Sequence, residues 1–327
     1  MKPFTYVLPH SLAEAEAAAK RPGAVLKAAG IDLVDRMKER VALPAEVVNL
    51  LPLQKDLSGL AGDAAQGLTI GALTTLTQLE QAKTLDAQAL GALRDAASSP
   101  ATPQVRNRAT VAGNVLQVTR CWYLRSAAFG CLHGKKGPSC LAQVGDNRFH
   151  SILGYHDCVR VHPSNLAPAL LALDCDYTTT FDGKTTRRKI GELFPAEPKA
   201  ELNEHTLQDG EIVTAFHVPP QPAGARSAYR ESREKQSFDW ATTAAAARVV
   251  LDGGVIREAT LVLGAVAPVP MPRPDAAKLL VGQKPGDELF VRVAQRAFAD
   301  ARPLSGNAWK VQIGKAIVRE VLHAVTR

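Results

Sequence analysis

Short apolar runs separated by polar turns dominate the first 60 residues. Ser11, with Glu14 three positions later, is typical of a capping box at the start of a helix. The run Ala24–Leu26 predicts a strand that leads through small residues into a helix ending near Lys38. Another short strand is expected at 47–50. This alternation predicts a small β-α-β unit with a parallel or mixed sheet.

The middle of the chain keeps this alternation to residue 98 and then changes. Residues 67–79 predict a strand, a turn and a helix with Thr74 as its N-cap, and the Ala-rich stretch 87–98 predicts another helix. Residues 101–118 are too polar and turn-rich for a buried element. Residues 119–160 are too irregular for a long helix or strand, and a loop of about 40 residues is unusual unless something orders it.

The last half predicts a helix, an antiparallel sheet and two further helices. A helix is expected from His162 to Leu173, strands are expected at 175–181, 211–218, 225–235, 241–251 and 255–262, and helices at 290–301 and 309–326. The Pro-rich segment 219–224 is the clearest linker. The charge run 231–235 is expected to be a solvated face.

Composition limits the class of protein. The chain has 327 residues, of which 46% are hydrophobic and 22% charged, so it has enough apolar residues for a large core. No apolar run approaches the roughly 20 residues that span a bilayer. The N-terminus lacks the apolar stretch of a signal peptide, and we expect no export signal of its own.

Charge is concentrated in one segment. The net charge is +7, and residues 101–160 hold eight Lys and Arg against two Asp and Glu. Such a segment indicates an anionic ligand or an acidic partner surface. It lacks the interleaved aromatic residues of a basic nucleic-acid-binding module, which is kept as a remote alternative.

Four of the five cysteines lie in the same stretch, at Cys121, Cys131, Cys140 and Cys158. Their spacing, C-x9-C-x8-C-x17-C, lacks the short pairs that zinc modules favour. An iron-sulfur cluster, zinc with mixed Cys and His ligands, and unligated buried thiols all fit the spacing alone. Cys175, in an apolar run, is expected to be a core residue.

Two segments of small residues, 27–33 and 110–114, allow a backbone to approach a phosphate closely. Each alone fits an ordinary turn equally well. Together, and with Arg106 and Arg108 nearby, they favour a pyrophosphate ligand. The G-x-G-x-x-G fingerprint of nicotinamide sites is absent, and no hydrolytic motif is present.

These segments resemble the motifs of a known family. Ala28-Ala29-Gly30-Ile31-Asp32-Leu33 resembles A-G-G-T-D-L, Gln104–Asn107 with Thr110–Asn114 resembles Q-[IV]-R-N-x-x-T-[VI]-G-G-N, and His162–Asn165 resembles H-P-S-D. Further similarity lies at Ser237–Ala241, Leu263–Ala267 and Asn307–Val311. The motifs are those of the FAD-binding medium subunits of molybdenum hydroxylases, which include xanthine dehydrogenase, carbon monoxide dehydrogenase and aldehyde oxidoreductase.

The cysteine segment resembles that of a subgroup with an extra loop holding a 4Fe-4S cluster. Arg120–Tyr123 and Gly145–Ile152 are most similar to the aldehyde oxidoreductase version. The resemblance implies that Cys121, Cys131, Cys140 and Cys158 are the cluster ligands.

The resemblance also implies which residues hold FAD. The pyrophosphate would lie against Lys27, Ala28, Ala29, Gly30, Ile31, Asp32, Leu33, Val34, Thr110, Gly113 and Asn114. Asn165 would meet the ribityl or ribose part, and Arg230 stands where the family often has Lys. The sequence departs from the family pattern at Ala29 and Ala112 for Gly, Ile31 for Thr and Asn165 for Asp. Alanine still permits close approach if its φ is negative.

The implied fold is α+β. An α/β FAD-binding domain similar to that of vanillyl-alcohol oxidase would occupy 1–221, with subdomains at about 1–57 and 58–221 and the cluster loop at about 119–160. A domain like the C-terminal domain of carbon monoxide dehydrogenase flavoproteins, an antiparallel sheet covered by helices, would occupy 222–327.

The implied function is electron transfer in a heterotrimeric oxidoreductase, with an aldehyde as the expected substrate. A large molybdopterin subunit would oxidise it, so this chain would contain no catalytic residue for that step. Electrons would pass through a small 2Fe-2S subunit to FAD here and then to a quinone, ferredoxin or dioxygen. The complex would be periplasmic by export with a partner, or cytoplasmic. A self-contained FAD oxidase is the alternative enzyme.

Overall fold

The computed structural model describes residues 1–134, 136–235 and 238–327, without the side chain of Asp86. Ser237, the first residue of one family motif, lies outside these ranges. Within them the strands form three sheets, of three, four and five strands, flanked by helices. The expected α+β fold is confirmed.

The strands are β1 Thr5–Val7, β2 Ala24–Lys27, β3 Glu46–Asn49, β4 Leu60–Asp63, β5 Gly67–Gly71, β6 Asp176–Phe181, β7 Lys184–Lys189, β8 Ile212–Val218, β9 Ala225–Ser232, β10 Thr243–Asp252, β11 Val255–Gly264 and β12 Met271–Pro272. The helices are α1 Leu12–Ala19, α2 Ile31–Lys38, α3 Gln54–Leu57, α4 Leu76–Glu80, α5 Gly91–Ser98, α6 Pro103–Arg106, α7 Val111–Val115, α8 Leu166–Ala172, α9 Pro274–Ala277, α10 Asp287–Ala297 and α11 Trp309–Thr326.

The N-terminal sheet is parallel, in the order β1-β3-β2. Val47 of β3 is in register with Tyr6 on one side and Val25 on the other. Ser11 caps α1 as expected, since its hydroxyl accepts a hydrogen bond from the N–H of Glu14. β2 runs through Ala28-Ala29-Gly30 into α2, so the predicted strand, turn and helix are confirmed.

The five-stranded sheet has the order β4-β5-β8-β6-β7, with antiparallel neighbours. Its buried side chains, among them Ile70, Tyr177 and Phe216, pack against α4, α5 and α8. The predicted strands of this region are confirmed. Cys175 is fully buried in the same core, as expected.

The C-terminal sheet has the order β12-β11-β10-β9 and is antiparallel. Gly253 and Gly254 form the hairpin turn between β10 and β11, with φ values of 56° and 76° that suit glycine. α11 packs against the sheet and α10 packs against α11, and their apolar faces belong to the second buried core. α10 begins at Asp287, three residues before the predicted start.

Two local predictions were wrong. The N-cap of α4 is Thr75, which forms a capping box with Gln78, whereas the Thr74 hydroxyl bonds to the backbone of Gly59. The segment 101–118, expected to hold no buried element, contains α6 and α7. The apolar side chains of Val111 and Val115 in α7 are fully buried because α7 packs beside α8.

The described residues of 119–160 contain no strand or α-helix, as expected. They form one short 3-10 helix, at Leu141–Gln143. The end of this segment packs on the C-terminal sheet, where the N–H groups of Ile152 and Leu153 donate to the carbonyl of Val266. Among the described residues, none of the helices combines the length and apolar character needed to cross a bilayer.

Candidate functional site

A cavity of about 450 Å³ lies among the N-terminal sheet, the five-stranded sheet and the 238–240 loop. It is lined by eleven of the thirteen residues predicted to bind FAD, namely Lys27, Ala28, Ala29, Gly30, Ile31, Asp32, Leu33, Thr110, Gly113, Asn114 and Asn165. Val34 and Arg230 are outside this lining. The fold therefore brings together two segments that are about 80 residues apart in sequence.

The backbone between β2 and α2 presents a run of free donors to this cavity. The N–H groups of residues 28–33 donate to no other residue that the structure describes. Gly30 has φ of +82°, and a Cβ there would lie 2.9 Å from Cε of Lys27. Ala29 has negative φ, so its methyl group does not strain the turn. Six adjacent N–H groups beside a helix start suit an anion such as a pyrophosphate.

In the second small-residue segment, 110–114, the backbone N–H groups of residues 111–114 differ from those of residues 28–33 because they already have partners. The N–H groups of residues 111–114 are already bonded, to Thr74, to Ala72 and to the side chain and carbonyl of Thr110. Asn114 is buried, and its Oδ1 accepts from the Ser164 hydroxyl at 2.7 Å and the Leu166 N–H at 3.2 Å. Its Nδ2 donates to no described group. This segment can therefore offer a ligand side-chain groups but no free backbone N–H.

Asn165 sits at the other end of the cavity. Its Nδ2 donates to Oε2 of Glu231 at 2.7 Å, and the Tyr229 hydroxyl donates to the same oxygen at 2.5 Å. Glu231 is also paired with Arg233 and is almost fully buried, so the expectation of a solvated charge run is wrong at these positions. Arg230 points elsewhere and pairs with Asp95 at 2.7 Å.

Asp32 anchors α2 to the start of the cysteine segment. Its carboxylate lies 2.6 Å from Arg125, 3.1 Å from Arg120 and 3.1 Å from Arg36. Burial works to raise the pKa of Asp32, but these three guanidinium groups outweigh it and hold the pKa below its usual value. Burial lowers the pKa of Arg120 to about 10, against the favourable pull of Asp32, so this side chain stays charged at neutral pH.

The positively charged side chains at the cavity are not Arg106 and Arg108, the two that the sequence placed near the expected pyrophosphate. Arg106 pairs with Glu80 and with the carbonyls of residues 100 and 101, and neither Arg106 nor Arg108 lines the cavity. Lys27, Arg36 and Arg120 line it instead.

Two aromatic residues at the cavity mouth were assigned no role from the sequence. Phe238 and Trp240 line the cavity and are 59% and 52% exposed. The Arg120 guanidinium lies 4.8 Å from the ring centre of Trp240. The signal for them was present, since both belong to a motif that supported the family resemblance.

The four cysteines of the 119–160 segment are free thiols. Interaction between Cys140 and Cys158 raises the pKa of Cys158 and lowers that of Cys140. Burial raises the pKa of Cys121 to about 12, opposed by backbone N–H groups, and the nearby sulfurs of Cys131 and Cys140 raise it further. The fold thus brings thiols that are spread over 38 residues close enough to influence one another's pKa.

No group of three or more His, Cys, Asp or Glu side chains among the described residues is arranged to hold a single metal ion. Such a group is what a zinc site requires. Several buried polar atoms around the thiols nevertheless have no hydrogen-bond partner: Thr119 Oγ1, Arg120 Nε, His150 Nδ1, Arg160 Nε and His162 Nε2. Buried polar groups normally have partners, so this concentration is unusual.

Lys310 of α11 and Asn307, two residues before that helix, hold the end of the 119–160 segment. The buried Asn307 amide donates to the carbonyls of residues 147, 150 and 151, and Lys310 Nζ donates to those of residues 149, 150 and 265. This places His150 Nε2 3.2 Å from the Cys121 sulfur. Burial, with Lys310 nearby, lowers the pKa of His150 to about 4, so the ring is neutral at physiological pH.

A second cavity, of about 330 Å³, lies between the first cavity and the thiols. Cys121, Trp122 and His150 line it, and it shares Arg120 and Trp240 with the first cavity. The two candidate sites are therefore neighbours.

Comparison with protein families gives two matches that together span most of the chain. Residues 2–221 match the FAD binding domain in molybdopterin dehydrogenase, and residues 227–325 match the CO dehydrogenase flavoprotein C-terminal domain.

Among curated proteins, the chain is 33% identical to the aldehyde oxidoreductase FAD-binding subunit PaoB of Escherichia coli, with 98% of each chain covered. It is 28% identical to the carbon monoxide dehydrogenase medium chain of Afipia carboxidovorans, over 98% of this chain and 96% of that one. Among solved structures, a Cu,Mo-CO dehydrogenase chain superposes with a TM-score of 0.77 at 22% identity, covering 100% of this chain and 99% of the other. The quinoline 2-oxidoreductase of Pseudomonas putida gives 0.76 at 20% identity, with 100% and 98% covered.

Proposed function

Because the chain belongs to the FAD-binding subunits of the molybdopterin dehydrogenases, we propose that it is the electron-transfer subunit of a molybdenum hydroxylase complex that oxidises an aldehyde. The chain takes electrons from the 2Fe-2S clusters of a partner subunit and passes them to an external acceptor. The observation that carries this proposal is the run of free N–H groups at residues 28–33, which opens onto the cavity.

The residues present fit FAD. The N–H groups of 28–33 would hold the pyrophosphate, with Lys27, Arg36 and Arg120 supplying positive charge. Asn114 Nδ2 and Thr110 would meet the same region from α7, and Asn165 would meet the ribityl or ribose part. Arg230 and Val34 lie outside the lining, so the cavity gives no support for the contact with FAD that the family resemblance implies for them. Bound FAD would supply a group that takes up two electrons and releases them to the acceptor.

Phe238 and Trp240 would shield the cavity from water on the open side, because their side chains stand at its mouth. The division of the chain into an FAD-binding part, 1–221, with subdomains at about 1–57 and 58–221, and a C-terminal part, 222–327, is part of the proposal. The two family matches meet near this boundary.

The substrate class and the partners are proposed from the relatives. The aldehyde oxidoreductase FAD-binding subunit of E. coli aligns over 98% of the chain, and the carbon monoxide dehydrogenase relative is named as a medium chain. A large molybdopterin subunit and a small 2Fe-2S subunit complete the proposed heterotrimer. The aldehyde then reacts on the large subunit, and no residue of this chain touches it.

A 4Fe-4S cluster bound by Cys121, Cys131, Cys140 and Cys158 is also part of the proposal. Its support is the convergence of four thiols and the unpaired polar atoms around them. A cubic cluster takes one thiolate at each of four separate iron corners, so its thiols stand farther apart than the ligands of a single ion. A zinc-stabilised nucleic-acid-binding protein would need the closer arrangement that the described residues lack.

The test is to measure flavin, iron and acid-labile sulfide in the anaerobically purified chain. One FAD and four irons with four sulfides per chain are expected. Flavin without iron would remove the cluster from the proposal and keep the flavoprotein role. Absence of flavin, or zinc in place of iron, would overturn it.

A pair of cysteine substitutions separates the two cofactor sites. Cys131→Ser should abolish the cluster signal and leave one FAD per chain. Cys175→Ser is the matched control, because that thiol is equally buried but lies in the core of the five-stranded sheet. It should leave both cofactors in place.

A further inference from the structure

One short segment outside the 119–160 stretch touches it at four places. This segment, residues 199–204, is here called the scaffold segment. It contacts Thr119, His133, Asp157 and Arg160. Each of the four lies within two residues of Cys121, Cys131 or Cys158.

The Glu204 carboxylate is the centre of these contacts. It is only 4% exposed. Its Oε1 accepts from the Thr119 N–H at 3.3 Å and lies 3.1 Å from Nε2 of His133 and 3.8 Å from Nε of Arg160. A single buried oxygen therefore faces three chain segments that carry different cysteines.

The backbone of the scaffold segment forms further hydrogen bonds with the 119–160 stretch. The guanidinium of Arg160, which is fully buried, donates to the carbonyls of Lys199 and Leu202. The N–H of Ala200 donates to Asp157 at 2.9 Å, and its carbonyl lies 2.6 Å from Nδ1 of His133.

We propose that the scaffold segment, with Glu204 as its central positioning residue, sets the places of Cys121, Cys131 and Cys158 before any metal binds. The described residues of the 119–160 stretch form no strand or α-helix that could fix these thiols, and an irregular loop costs conformational entropy to order. Buried charge-assisted hydrogen bonds can supply that order. Arg160 offsets the charge of Glu204, so the thiols are not placed beside an unbalanced carboxylate.

That a cluster is the ligand of the thiols rests on the proposed function, whereas the scaffold consists of contacts between residues of this chain. The test therefore uses the full chain after anaerobic treatment with an iron chelator and a thiol reductant. Alkylation of each cysteine by iodoacetamide is followed by peptide mass spectrometry in the wild type, Glu204→Gln and Glu16→Gln. Glu16 is a matched control, because its buried carboxylate binds Thr180 and the Gly183 N–H far from the cysteines.

In Glu204→Gln, Cys121, Cys131 and Cys158 should react about tenfold faster than in the wild type, which corresponds to about 1.4 kcal/mol in the opening equilibrium. Cys175 should be unchanged, and Glu16→Gln should leave every rate as in the wild type. Equal rates in Glu204→Gln and wild type would overturn the proposal, as would a parallel rise at Cys175, which reports general destabilisation.

A second variant covers the case in which Glu204→Gln fails to fold. His133→Gln changes only the contacts of His133 with Glu204 and with the Ala200 carbonyl, so Cys131 should become more reactive than Cys158, and a uniform rise would contradict the scaffold. Iron analysis of the untreated chain keeps the two hypotheses apart. A faster reaction in a chain without iron supports the scaffold and removes the cluster. Iron in the untreated chain, together with unchanged alkylation rates in Glu204→Gln, supports the cluster and removes the scaffold.

Discussion

Lys310 is a fully buried cation whose ammonium group donates to three backbone carbonyls and, within the described part of the chain, meets no carboxylate. Burial lowers its pKa to about 7. The carbonyls belong to Phe149, His150 and Ala265, so Lys310 joins the cysteine segment to β11 and α11. A lysine retained in such a place stabilises a particular backbone arrangement at an electrostatic cost.

Lys310→Met should destabilise the protein, increasingly so as pH rises. The unfolded lysine stays protonated to about pH 10, whereas the folded one loses its proton above about pH 7. The unfolded state therefore binds more protons between these values, and the stability of the wild type rises with pH there. The variant leaves carbonyls unpaired, at a cost of about 1–3 kcal/mol, and lacks this rise. Urea unfolding from about pH 6 to 10 measures it.

Lys284→Met, at an exposed position, is the control for loss of one positive charge. A stability difference between wild type and Lys310→Met that stays constant with pH would contradict the assignment of the titrating group to Lys310.

Gly30 is the residue where the backbone conformation itself depends on the side chain. Gly30→Ala should cost about 1–2 kcal/mol, because φ of +82° is unfavourable for alanine and its Cβ would press on Lys27 and Val34. The displaced N–H groups should also weaken FAD binding, measured by flavin fluorescence titration. Gly191→Ala is the control, since a Cβ there meets only ordinary contact with Leu171. Equal flavin affinity in both variants would argue against a pyrophosphate at this turn.

At the scale of elements, α7 is joined to α8 by one side chain. Asn114 accepts from Ser164 and from the N–H of Leu166, the first residue of α8. A residue expected to serve the cofactor thus also satisfies a helix start that has no side-chain cap of its own. Binding and packing are carried by the same amide.

Asn114→Ala should therefore lower both stability and flavin affinity. Leaving the Ser164 hydroxyl and the Leu166 N–H without an acceptor costs about 1–3 kcal/mol. Asn114→Asp keeps that acceptor but removes the Nδ2 donor, so it should recover stability without recovering flavin affinity. Urea unfolding and flavin titration of the two variants check this, and flavin affinity restored by Asp would show that Nδ2 is not a ligand.

At the scale of the whole molecule, the two parts of the chain share a core. Tyr229, Ala246 and Val262 of the C-terminal sheet belong to the same buried cluster as Ile70 and Phe216. The Ser227 hydroxyl donates to the carbonyl of Ala89 and accepts from the N–H of Ala92. The linker at 219–224 therefore joins parts that are held together by packing.

Unfolding should be a single transition. Far-ultraviolet circular dichroism and tryptophan fluorescence should give coincident urea curves, because separating the parts would expose shared apolar surface. Ser227→Ala should move both curves together, by about 1–3 kcal/mol for the unpaired groups it leaves in α5. Two separate transitions would contradict a shared core.

Local sequence patterns were enough to predict most elements and the segments that line the candidate site. Alternation and capping placed most strands and helices, and the motifs around Gly30 and Thr110 identified the lining of one cavity before any contact was known. Local rules succeed there because hydrophobic period, turn residues and backbone freedom are properties of neighbouring residues.

Which backbone N–H groups are free and which charged side chains line the cavity could be seen only in the folded chain. The tertiary structure showed that the N–H groups of 28–33 are free while those of 111–114 are bonded, and that Arg120 lines the cavity while Arg106 is paired with Glu80. It buried α7 because α8 covers it, and it brought Glu204 to the backbone of Thr119, 85 positions away. These outcomes depend on burial and on partners distant in sequence, which no local pattern records.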